Sequence, residues 1–345
     1  MLQTNKRPLL RWADKTLSML KAQQLEACEK ELAGLPSVCL FDAETTDMVA
    51  EDLFDISYYA QEPHSPSLHS IEELRSRVMD LYPSELAMLC PEEHELVVKL
   101  ALCRGRLPLW DWDSLIPARS LVRRLWCRVE KRDQKMTLIM PMQLCLTALF
   151  LMSSDAHRQV REIMEAAQTS IDDSLYLQGA IQANAPEAHL ASQLSDTFVE
   201  HADLLIRRFL LAGYQCYRGA EGLLLLHPGL ADPASLSLHL FRQSGASFMD
   251  ERDLQAALDS LDQIEDPLYD HLTGLLQGMT RPEISAEDAA EDLILLVKQN
   301  VPYPDLVDVL RCMLVTLPTQ EMLDVIRDIS VQVPRWVFLN SSRLQ

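Results

Sequence analysis

The chain has 345 residues, 48% of them apolar and only 10 of them glycine. That is enough for two or three domains with cores of their own, and too apolar for wholesale disorder. The 51 acidic residues outnumber the 31 basic ones, for a net charge of −20, which opposes binding to nucleic acid phosphates and to anionic membrane surfaces. So few glycines leave few positive-φ positions for tight hairpins, and the composition predicts an all-α chain.

In chain order, Leu9, Leu10, Ala13, Leu17, Leu20 and Leu25 recur near the helical period and predict a helix over 8–32, ended by Gly34 and Pro36. An acidic helix is expected over 43–60, then a proline-rich loop at 63–67. Ser70, with Glu73 three residues on, has the spacing of a capping box and opens a helix to Leu81 that Pro83 stops. A short helix is expected over 84–90, and Pro91 takes the first position of the next, which runs to Cys103. Leu107 to Pro117 reads as a loop carrying Trp110 and Trp112. Helices are expected at 118–131 and 138–152. The second is the most apolar run, about 15 residues against the ~20 that span a bilayer, and reads as a buried core helix. Further helices are expected at 154–170, 172–184, 187–212, 215–226, 234–245 and 250–264, and another from Pro267. Ser285 caps one over 286–299, and two more cover 304–315 and 319–331. No alternating apolar–polar segment bounded by turns is present, so no hairpin is expected.

Motifs for chemistry are missing. There is no glycine-rich phosphate loop and no nucleophile elbow. His94-Glu95 is half of a zinc-protease motif, but Val98 stands where the second histidine belongs, so His94 reads as a surface residue of a charged helix. Cys28, Cys39, Cys90, Cys103, Cys127, Cys145, Cys216 and Cys312 form no C-x-x-C pair and read as reduced, mostly buried residues. No catalytic, cofactor-binding or metal-ligating residue is therefore assigned. The N-terminus has a basic pair without an apolar run after it, so no signal peptide is visible and a reducing cytoplasm is expected.

One segment departs from the acidic background. Between Arg104 and Lys135 there are nine basic residues and four acidic ones. Arg119, Arg123 and Arg124, continued by Arg128 and Arg132, have the spacing of one helical face. Two readings stand: a face paired with the chain's own acids, or a docking face for an acidic partner protein. Trp110, Trp112 and Trp126 flank it as core, joint or interface anchors.

The order of features from about residue 155 resembles the type III secretion gatekeeper family, of the YopN–TyeA type. The resemblance is carried by Ile284-Ser-Ala-Glu-Asp before Leu293-Ile-Leu-Leu-Val, then Asp305-Leu-Val-Asp-Val-Leu, Pro318-Thr-Gln-Glu321 and Pro334-Arg-Trp-Val-Phe-Leu-Asn340. Upstream, Leu177–Ala183, Arg207–Gln215 and Leu254–Leu261 fall in the same order. The chain departs from the family in being helical almost from Pro8 and in ending seven residues after Phe338. The resemblance implies an elongated array of helical-bundle domains in the bacterial cytoplasm. Its parts would be a helical segment over 1–66, a bundle with the basic stripe over 67–153, a second bundle over 154–281 and a TyeA-like module over 282–345. It implies a non-enzymatic regulator that binds the export-gate component and chaperone–translocator complexes and sets secretion order, with no nucleic acid partner and no membrane insertion. Arg119, Arg123, Arg124, Arg128 and Arg132 are then one candidate contact face, and Trp336 and Phe338 a second, unless these two aromatics close the local core. A helical scaffold of another pathway and an enzyme assembled from distant residues are the alternatives.

Overall fold

The computed structural model describes residues 16–35, 38–42, 45, 52–55, 57, 70–109, 114–132, 135–182, 215–219, 222–230, 251–282 and 284–336. It is mainly helical, with two small antiparallel sheets. The chain divides into two compact units: an N-terminal unit of 24–168 with 187–213, and a C-terminal unit of 169–186 and 214–345 with 1–23.

The mainly helical character agrees with the composition, but two small hairpin-containing sheets stand where the sequence pattern led to none. Strands β1 (Arg106–Leu109), β2 (Arg128–Arg132) and β3 (Lys135–Ile139) form one sheet in the order β1-β3-β2. They take the place of the first residues of the expected loop at 107–117, the end of the helix over 118–131 and the start of that over 138–152, and the last residues of that loop open a helix at Leu115. Strands β4 (Ala180–Gln182), β5 (Gln215–Gly219) and β6 (Gly222–Leu226) form the second, in the order β4-β6-β5. They replace the expected helix over 215–226 and the end of that over 172–184. The physical reason lies in a few backbone positions. Leu125 adopts φ 62° and ends the preceding helix before β2, Gly179 adopts φ 75° just before β4, and Gly219 pairs with Gly222 where β5 turns into β6. Such positions break a helix whatever the apolar pattern around them.

In the N-terminal unit, α1 (Leu17–Gly34, from residue 24), α2 (Ile71–Ala87), α3 (Pro91–Leu102), α4 (Leu115–Arg123) and α5 (Met142–Met152) surround one core with the first sheet. Ser70 accepts from the Glu73 amide as expected, and Pro91 occupies the first turn of α3. Pro83 does not stop its helix. α2 runs through it, with Tyr82 and Leu86 fully buried on either side, so packing outweighs the lost backbone hydrogen bond. Trp126 lies edge-on to Tyr82 at 4.5 Å, and the Tyr82 hydroxyl donates to the Leu144 carbonyl.

In the C-terminal unit, α7 (Glu251–Leu276), α8 (Ala286–Lys298), α9 (Tyr303–Met313) and α10 (Gln320–Gln332) enclose a second core. α7 passes through Pro267, where a helix start was expected. α8 is the central helix and buries ten of its thirteen residues. Ser285 and Thr319 cap α8 and α10 by accepting the amides of Asp288 and Met322. The remaining helix, α6 (Asp155–Gln178), contributes to both units, and its expected break at 170–172 is absent. Residues 187–212 and 234–245, expected as helices, lie outside the described residues.

Candidate interaction surfaces

The most unusual surface of the N-terminal unit is α5. The helix contains no charged residue, and its sequence reads as a core helix. Only Leu144, Cys145 and Ala148 are buried, against the N-terminal core. Met142, Leu146, Leu149 and Phe150 stand at i, i+4, i+7 and i+8 and so share one face, which is exposed, Leu146 by 59% and Phe150 by 76%. This overturns the expected buried core helix. An uncharged helix buried on one side needs no polar outer face if something else covers that side. The signal available in the sequence was the width of the apolar pattern, which exceeds the stripe that one neighbouring core can absorb.

The basic stripe is reorganised. Arg119 and Arg123 lie on α4 and both reach Glu31, at 3.7 and 2.7 Å. Arg124 caps the end of α4 and is only 3% exposed, between Glu85 at 3.2 Å and Glu93 at 3.8 Å. Arg128 and Arg132 are on β2, where Arg128 meets Asp42 at 3.2 Å and Arg132 meets Glu130 at 3.3 Å. The five arginines therefore do not share one helical face. Burial is costly for a lone cation, and the paired carboxylates of Glu85 and Glu93 offset that cost at Arg124. Sequence spacing could not reveal partners so far away in the chain.

Trp336 is buried in the C-terminal unit. Its amide donates to the Lys298 carbonyl at 2.8 Å and its indole N–H to the Tyr176 carbonyl at 3.0 Å. Its ring lies so close over Gly179 that any side chain there would collide with it. Beside it, the Lys298 ammonium meets Glu265 at 2.6 Å and lies 4.3 Å from the Tyr176 ring centroid, and the Tyr176 hydroxyl donates to Glu265 at 2.6 Å. Burial pushes Lys298 below its ordinary range and Tyr176 far above its own, the latter aided by the Glu265 charge. This network joins α6, α7, α8 and the segment after α10, as a polar tie inside a core. Phe338 lies outside the described residues.

His94 also departs from expectation. It is half-buried, and its Nε2 is 3.5 Å from Nε2 of His157. Burial, then the Arg161 charge, pushes both imidazoles below their usual range, His94 to about 4. Of the seven cysteines whose side chains are described, five are buried and none is in a disulfide. Among the described residues no group of three or more His, Cys, Asp or Glu side chains is placed to hold a metal ion, and no helix is long and apolar enough to cross a membrane.

No protein-family model, no curated protein and no solved structure matches this chain.

Proposed function

We propose that this chain is a non-enzymatic regulator that works by binding other proteins, and that the exposed face of α5 receives an amphipathic helix of a partner. The observation that carries the reading is the row Met142, Leu146, Leu149 and Phe150 on a helix without a charge. Exposed apolar patches of this kind mark interaction sites. An 11-residue helix is about 16 Å long, and an apolar row of that length matches the i, i+3, i+4, i+7 anchors of a helix lying across it. A lipid surface suits the row less well. Helices that lie on membranes carry Lys and Arg along the polar edge, and α5 has none.

The particular regulator is the one indicated by motif order in the C-terminal half: a gatekeeper of type III secretion in the bacterial cytoplasm, holding the export-gate component and chaperone–translocator complexes. The compact module of α8 to α10, closed by Trp336, supports this reading by its order of elements. The test is binding of the purified full chain to purified export-gate and chaperone–translocator components, with a Leu146→Glu/Phe150→Glu variant alongside. Micromolar or tighter binding, weakened at least about ten-fold in the variant, a loss of about 1.4 kcal/mol, is expected. Equal binding by the variant removes α5 from the reading. No binding to either component removes the gatekeeper assignment.

A further inference from the structure

The outer side of α5 has a symmetry that its apolar content alone does not require. Met142, Leu146 and Phe150 stand at i, i+4 and i+8, so Met142 and Phe150 flank Leu146 at equal distances of about 6 Å along the helix axis. Leu149 lies beside them on the same exposed face. The polar residues of the helix, Gln143 and Thr147, carry no charge. Leu144, Cys145 and Ala148 are committed to the core of their own unit, so the two sides of the helix do not compete.

A row that is symmetrical about its midpoint is complementary to itself. A two-fold contact joins the same patch of two copies, residue i meeting j while j meets i. Two α5 helices laid antiparallel, with the axis at Leu146, set Leu146 against Leu146 and Met142 of each copy against Phe150 of the other. A thioether against an aromatic ring is a favourable pair, and both ends of the row gain the same one. Charge points the same way. Each copy carries −20, so most of its surface repels a second copy, and a helix with no charged residue is where that repulsion is least. Interface centres are likewise poor in charge and rich in Met and Phe.

We infer that α5 holds a second copy of this chain in a transient two-fold dimer centred on Leu146, which covers the apolar row until a partner helix displaces it. Met142, Leu146, Leu149 and Phe150 expose 47, 59, 39 and 76% of their area. For side chains of about 150–250 Å² each, that is on the order of 400 Å² a copy. The roughly 800 Å² buried by the pair falls below the ~1,000 Å² of a stable assembly, so the dimer is weak enough to give way to a better-fitting helix. The inference rests on α5 being a contact face and adds what occupies that face when no other protein does.

Sedimentation velocity of the full chain from about 1 to 100 µM tests it. A monomer–dimer equilibrium within that range is expected, tightened about three-fold when salt rises from about 50 to about 300 mM, because screening weakens the repulsion between two acidic copies. L146E and L146K, each alone, should dimerise at least about ten-fold more weakly. An equal mixture of the two should recover the native affinity or exceed it, because the axis sets the new carboxylate against the new ammonium. Leu146 is exposed, and circular dichroism verifies that both variants fold. A chain that stays monomeric to about 100 µM overturns the inference and leaves the face to a different protein or to a segment of this chain. Dimerisation that both variants retain, or a mixture no tighter than either variant alone, overturns it as well. The two readings of α5 fail separately. A chain that dimerises through Leu146 yet binds neither secretion component loses the gatekeeper assignment alone, and a monomeric chain that binds them through α5 loses only the dimer.

Discussion

His94 and His157 face each other Nε2 to Nε2 at 3.5 Å, and only one proton fits between two such nitrogens. Arg161, one turn beyond His157, faces both rings and is itself bound by Glu165 and the Leu89 carbonyl. An unfolded imidazole titrates near 6.5, whereas folded His94 is held at about 4. Between those values the unfolded chain binds more protons, so the pair's contribution to stability is whole above about pH 6.5 and is lost as the pH falls toward 4. The loss of stability to urea between pH 7.5 and pH 5 should therefore be smaller in His94→Gln than in the native chain. An equal pH response of the two proteins would remove the pair from the account. Trp336 allows a second prediction at this scale. Its removal in Trp336→Ala empties a core site and should cost about 3–5 kcal/mol. Gly179→Ala should destabilise on its own account, because the new methyl meets the indole and Gly179 sits at φ 75°.

Among the helices, α5 and α8 make the sharpest contrast. Both are rich in leucine, yet α8 is buried over most of its surface and α5 over one side only. Leu144→Ala on the buried side of α5 should cost about 2–5 kcal/mol. Leu146→Ala on the exposed side should change stability by no more than about 0.5 kcal/mol. Thermal denaturation of the two variants separates a core helix from a docking helix. The tie between α7 and α8 follows a different rule. Removing one partner of a buried ion pair strands the other, so Lys298→Met alone should cost about 3–5 kcal/mol. Adding Glu265→Leu should recover part of the loss, as a double-mutant cycle would show. An additive double variant would mean that the 2.6 Å pair contributes no coupling.

For the whole molecule, charge dominates. A net charge of −20 in a folded chain repels itself, and salt screens the repulsion. Raising the salt from about 10 mM to about 200 mM should therefore raise the melting temperature by a few degrees. A fall would mean that the surface ion pairs, such as Arg106–Glu130, outweigh the net repulsion.

The features legible in the sequence are local ones. Ser70 and Ser285 cap helices because a hydroxyl reaches an amide three residues on. Pro91 opens α3 because its missing N–H is not needed there. The helical period of α8 to α10 placed all three within a residue or two, because one helix face must meet one core. Features that depend on distant partners were not legible. The run from Leu138 has the apolar content of a core helix, and only the assembled unit shows that it is split between β3 and α5 and that Met142, Leu146, Leu149 and Phe150 on one side of α5 are exposed. The arginines from 119 to 132 have helical spacing, yet Leu125 turns the chain between them, and Glu31, Glu85 and Glu93 come from far away in the sequence to pair with three of them. Periodicity records which residues could share a face. Burial and pairing depend on what arrives against that face, and that is decided by tertiary structure.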